Sequence, residues 1–152
     1  SSGDMYYSQT HYTDIDFTKL RRNNLSFVQQ DAYFQKGTIR YNLSLAGVGE
    51  NEIATTIMPL MDFAENIPEK LDFIINPKNT SLSGGEKQRI VLTRGFLKSA
   101  DIMIFDEPTN ALDEESVGVF MNEIIKKKKS KIVIIVSHDI RLGEIADEVI
   151  NF

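Results

Sequence analysis

Ser81-Leu82-Ser83-Gly84-Gly85-Glu86-Lys87-Gln88-Arg89 runs into an apolar stretch ending at Leu97. Ile102-Met103-Ile104-Phe105-Asp106-Glu107-Pro108-Thr109-Asn110-Ala111-Leu112-Asp113 follows at once. These two segments decide the fold. Ile90, Val91, Leu92, Phe96 and Leu97 recur at helical spacing, so Ser83, Gly84 and Gly85 fall at a helix N-terminus. Backbone N–H groups are unpaired there, and without Cβ atoms an anion such as phosphate can approach closely. The four apolar residues from Ile102 predict a buried strand that delivers Asp106 and Glu107 at its C-terminal end. Open α/β sheets place their ligands at that end.

Outward from this centre, strands and helices alternate. Leu25–Val28 predicts a core strand. The β-branched run Ile132–Val136 predicts a strand buried on both faces of a parallel sheet. Val149–Phe152 predicts one more strand, and Asp4–Ser8 a short one. Asp16 suits the cap of a short helix through Arg22. Ile53, Ile57, Leu60 and Met61 give Glu50–Phe63 an amphipathic helical pattern, and Ile67–Pro77 reads as a loop-rich connector. Glu114–Ile125 predicts a helix closed by Lys126–Lys129, where cations favour the helix dipole. His11, in a polar stretch, reads as a solvated loop residue.

Composition narrows the class. The 152 residues suit one domain, with 41% hydrophobic and 26% charged residues. A net charge of −5 argues against a nucleic-acid partner. Without cysteine there is neither a disulfide framework nor thiol chemistry. No apolar run is long enough to span a bilayer, so this stretch is expected to be soluble and cytosolic.

Leu82-Ser83-Gly84-Gly85-Glu86 resembles the signature motif of ATP-binding-cassette (ABC) ATPases. Ile102–Glu107 resembles their Walker B strand with its catalytic glutamate, and Ala111-Leu112-Asp113 their D-loop. Gln29-Gln30-Asp31 is similar to the Q-loop, with Gln30 the matching glutamine, and Ser137-His138-Asp139 to the H-loop. Gly37–Leu43 looks like the "GTIRENI" stretch of exporters whose membrane and nucleotide domains share one polypeptide. The exporters' E-x-G segment has no counterpart in Ile75–Asn79. The resemblance covers essentially the whole chain. It implies an α/β fold of P-loop NTPase type: a parallel sheet with flanking helices (1–33 and 98–152) and a helical subdomain over about 34–97. No G-x-x-x-x-G-K-[ST] occurs. The chain is therefore expected to be the C-terminal portion of such a domain, without the Walker A strand. In the family that strand lies between those resembling Ile132–Val136 and Val149–Phe152.

The cofactors implied are ATP and Mg²⁺. By this resemblance Asp106 and Gln30 hold Mg²⁺, Glu107 acts on the attacking water, and His138 donates to the γ-phosphate. Ser83, Gly84, Gly85 and Glu86 contact, in trans, the ATP of a second nucleotide-binding domain in a head-to-tail pair, with Asp113 at the interface. Further partners are transmembrane domains, which Tyr33 and Phe34 can face if they are not core aromatics. The location is the cytoplasmic face of a membrane. The expected function is to power transport across it. The alternative, equally compatible with Asp-Glu-Pro-Thr, is a soluble ABC ATPase of translation or DNA repair. Alone, this stretch is expected to be inactive.

Overall fold

The computed structural model describes residues 3–31, 33–56, 71–76 and 82–151. Two short strands, β1 (Tyr6–Tyr7) and β2 (Thr10–His11), form an antiparallel hairpin whose turn holds Ser8 at φ 56°. Asp16 then caps α1 (Phe17–Asn23), accepting from the backbone N–H of Thr18 and Lys19 at 3.0 and 3.1 Å. This leads into β3 (Leu25–Val28). Next come β4 (Gly37–Thr38), α2 (Ile39–Ser44), α3 (Glu50–Thr56) and β5 (Ile74–Ile75), with β4 and β5 antiparallel. The second half contains α4 (Gly84–Leu97), β6 (Ile102–Asp106), α5 (Glu114–Lys127), β7 (Ile132–Val136) and a 3₁₀ segment, Ile140–Ile145.

The central sheet is parallel, in the order β3-β6-β7. Its register sets the faces. Ser26 lies beside Met103 and Val133, and Val28 beside Phe105 and Ile135. This face is covered by α4 and α5, and Phe96, Phe105 and Phe120 meet there with ring centroids 5.2–5.8 Å apart. All three rings are buried. Such aromatic pairs contribute about 0.5–1.5 kcal/mol each beyond their area burial.

The opposite face corrects the expectation that Ile132–Val136 is buried on both sides. Ile132, Ile134 and Val136 are exposed, as is Phe27 on β3. A continuous β-branched run does not by itself bury two faces; a covering layer does, and the described helices α4 and α5 pack on the other side. Val149–Asn151 also departs from expectation, since no strand forms there. A strand needs a hydrogen-bonding neighbour, and this segment faces β7 across a cleft of about 800 Å³ instead of pairing with it. Asp4–Ser8 contributes only Tyr6 and Tyr7, in the separate hairpin.

Smaller readings divide similarly. The helix predicted over Glu50–Phe63 is seen as Glu50–Thr56, and residues 57–63 lie outside the described set. In the connector, Ile74–Ile75 forms a strand. His11 is not simply solvated. Its ring sits against Tyr6 and Tyr12, and Nδ1 lies 2.7 Å from the Thr13 hydroxyl. The helix after Asp113 continues to Lys127, two residues beyond Ile125.

One glycine is required by packing rather than by backbone angle. A Cβ on Gly95 of α4 would lie 2.4 Å from Val28 Cγ2, and the Gly95 carbonyl accepts the Ser26 hydroxyl at 2.9 Å. Alanine is the better helix former by about 1 kcal/mol. Overpacking a core costs typically 1–3 kcal/mol. A 2.4 Å approach to a branched, buried side chain puts the clash in the upper part of that range, so Gly95→Ala should lower unfolding free energy by up to about 2 kcal/mol in denaturant titration. An unchanged or raised midpoint would show that α4 can lift off β3 freely.

Candidate functional site

Parallel pairing aligns strand ends. Asp106 is paired with Val136, and Val28 with Phe105, so the residues just past each strand emerge at one edge. Gln30 follows β3 by two residues, Glu107 follows β6 by one, and Ser137 and His138 follow β7. The structure thus brings Gln30, Asp106, Glu107 and His138 to the C-terminal edge of one sheet. Gln30 is exposed there and Asp106 half-buried.

Glu107 is the most constrained of the four. Its backbone is left-handed at φ 47°, a conformation rarely adopted outside glycine, asparagine and aspartate. The turn stays tied to the sheet because Glu107 N–H donates to the Val136 carbonyl at 2.8 Å. Its side chain is only about a tenth exposed. One carboxylate oxygen lies 3.4 Å from His138 Nε2, and the other accepts the Ser137 hydroxyl at 3.3 Å. His138 itself projects almost wholly into solvent. Local strain of this kind costs on the order of 1–3 kcal/mol and concentrates at functional sites.

Ser83 and Glu86 occupy the start of α4 and form a capping box. Glu86 N–H donates to Ser83 Oγ at 3.2 Å, while a Glu86 carboxylate oxygen accepts the Ser83 N–H and hydroxyl, each at 2.8 Å. Ser83, one of the residues that read as an anion site, therefore also satisfies the helix end together with Glu86. Gly85 closes against the turn after β6: a Cβ there would sit 2.9 Å from the Ala111 carbonyl. Two further ties join α4 to that turn. Buried Gln88 donates from Nε2 to the Pro108 carbonyl at 3.0 Å, and Arg89 reaches Asp113 at 3.4 Å and the Ser116 hydroxyl at 2.7 Å. Asp113 caps α5, and hydrogen bonds from Ser116 (side chain, then backbone) hold its carboxyl below the usual range. Helical periodicity marks Gln88 and Arg89 only as positions on α4, and their bonding depends on the packing of a distant turn.

Beyond β7, Asp139 accepts Arg141 Nε at 2.8 Å and a guanidinium NH₂ at 2.7 Å, and it caps the 3₁₀ segment. Among the described residues no group of three or more His, Cys, Asp or Glu side chains converges as a closed metal cage. No described helix is long and apolar enough to cross a membrane.

A strained, buried glutamate beside a half-buried aspartate lies at the C-terminal edge of a parallel α/β sheet, the edge where such sheets place their ligands. Residues 1–110 match the family described as ABC transporter. The chain belongs to that family of ATP-binding domains, and its sheet is the α/β sheet of a P-loop NTPase. Over 142 residues it is 36% identical to the "ATP-dependent lipid A-core flippase" of Vibrio cholerae, covering 90% of this chain and 24% of that protein. Over 155 residues it is 32% identical to "Lactococcin-G-processing and transport ATP-binding protein LagD" of Lactococcus lactis, covering 99% and 22%. It is 36% identical over 132 residues to a "Putative export ATP-binding/permease protein" of Rickettsia bellii, covering 85% and 23%. The chain therefore spans about a quarter of the length of these relatives.

The Arg141 hydrogen bonds hold the Asp139 carboxyl down at about 2, from an ordinary value of 3.8. A depressed carboxyl stabilises the fold above its unfolded pKa, and that contribution is lost as pH falls through the folded value. Asp139→Asn should therefore lower the melting temperature at pH 7, with the gap to wild type closing between about pH 4 and 2. A gap independent of pH would remove the carboxylate charge from the account.

Proposed function

We propose that this chain is the catalytic half of a nucleotide-binding domain that hydrolyses ATP to drive export across a membrane. The observation that carries this reading is the Glu107 carboxylate, held at the sheet edge by its left-handed backbone and by Ser137 and His138. Glu107 takes the proton of, or orients, the water that attacks the γ-phosphorus. A buried carboxylate at a fixed position meets the geometric need of a general base. His138, nearly all in solvent, is placed to donate to the γ-phosphate from the same edge.

Asp106 and Gln30 suit Mg²⁺. Both offer hard oxygen donors at one strand-end level, and the Asp106 side chain has no hydrogen bond or ion pair among the described residues. Mg²⁺ favours one or two protein oxygens with the remaining positions left to water and phosphate, so an open pair fits better than a closed cage. When bound, the ion neutralises charge on the β- and γ-phosphates. Ser83, Gly84, Gly85 and Glu86 serve a nucleotide held by a second domain in a head-to-tail pair, and Asp113 lies at that junction. In the longer protein the open edge of β7 takes the Walker A strand, and 34–97 acts as the helical subdomain against transmembrane partners at the cytoplasmic face. The names of the relatives support export over a role in translation or repair. Relatives named for lipid A-core and for lactococcin share this stretch, so cargo selection lies outside it.

In the full-length protein, Glu107→Gln should leave nucleotide affinity within about threefold of wild type and lower turnover at least 100-fold, the range of a positioned acid–base group. Phosphate release and nucleotide binding measured side by side check this. Turnover within a few-fold of wild type would remove Glu107 from the chemistry.

A further inference from the structure

We propose that Ser137 is a positioning residue that sets the rotamer of Glu107 through its hydroxyl. The proposal rests on the hydrolytic reading of Glu107 given above. The Ser137 oxygen accepts the Asp139 backbone N–H at 3.1 Å and donates its own proton to a Glu107 carboxylate oxygen at 3.3 Å. A hydroxyl has one proton and two lone pairs, so accepting from Asp139 leaves the proton free to aim at Glu107.

That acceptor contact is itself anchored. Asp139 is pinned by two bonds from the Arg141 side chain and one from its backbone N–H at 3.1 Å. Ser137 is part-buried, whereas the His138 ring that meets the other carboxylate oxygen is almost fully exposed. An exposed imidazole is free to swing toward solvent or substrate, so it cannot by itself fix the glutamate. Ser137 keeps one oxygen of Glu107 fixed while His138 moves, and leaves the other oxygen available to a water.

The arrangement predicts a separation of turnover from binding. Ser137 touches Glu107 and the backbone of its own turn, so its loss should misplace the glutamate without weakening nucleotide affinity. A long hydrogen bond to a carboxylate, at the weak end of the range for charged groups, corresponds to roughly a 10-fold change in rate.

The test uses the full-length protein with Ser137→Ala, Ser137→Thr and Glu107→Gln. Three quantities are compared: kcat and KM for ATP hydrolysis, affinity for a fluorescent ATP analogue, and melting temperature. The expected result for Ser137→Ala is a kcat lowered about 10-fold, with KM and affinity within twofold and a melt lowered by only a few degrees for the lost Asp139 contact. Ser137→Thr, which keeps the hydroxyl, should restore kcat to within about threefold. A kcat within twofold of wild type in Ser137→Ala would overturn the proposal. So would loss in both variants accompanied by a melt lowered well beyond those few degrees, which would make Ser137 a structural residue only. A full-rate Glu107→Gln protein would instead overturn the hydrolytic reading itself, and the two failures are thereby distinguished.

Discussion

The parallel register of β3, β6 and β7 is the constraint on which the rest depends. Phe105 lies between Val28 and Ile135, and every residue past those strands inherits its place from that alignment. Slipping β6 by one residue would reverse its faces, exposing Met103 and Phe105 and burying the acid that now leads the turn. The Phe96–Phe105–Phe120 cluster opposes such a slip because α4 and α5 both close on Phe105. Site geometry and core packing are thus set by one set of backbone hydrogen bonds. The Glu107 N–H to Val136 carbonyl bond extends this control by one residue beyond the strand.

Much of this was legible in the residues. Ile102–Asp106 could be read as a strand from its apolar run, and Gly84–Leu97 as a helix from its period, because local composition and tertiary burial agree there. Parallel topology places Asp106 and Glu107 at the strand ends, whereas Gln30 and His138 are singled out by their resemblance to the Q-loop and H-loop. Side-chain detail was not legible. The bond from Gln88 to Pro108 spans twenty residues, and no periodicity encodes it. The left-handed backbone at Glu107 also has no sequence signal, since a glutamate would ordinarily argue against it. Ile132–Val136 misled for a different reason: composition reports what a strand can bury, whereas exposure depends on what covers it.

The N-terminus of α4 is closed by its own side chains and by the turn after β6. Ser83 and Glu86 satisfy each other in the capping box, while Gly85, having no Cβ, lets the Ala111 carbonyl pack beside the helix end. Gln88 and Arg89 then fasten this helix to the turn that carries Glu107 and Asp113. The Gln88 bond ends on the Pro108 carbonyl, so α4 is tied to the residue that follows Glu107.

The central claim is that the sheet edge carrying Glu107 is where ATP is hydrolysed. The most direct measurement is the structure of the full-length protein trapped with Mg²⁺ and a non-hydrolysable ATP analogue. The account predicts the γ-phosphate at the C-terminal edge of β6, an ordered water within about 3.2 Å of the Glu107 carboxylate, and Asp106 facing the metal. A γ-phosphate bound away from this edge, with no ordered water at the Glu107 carboxylate, would contradict it.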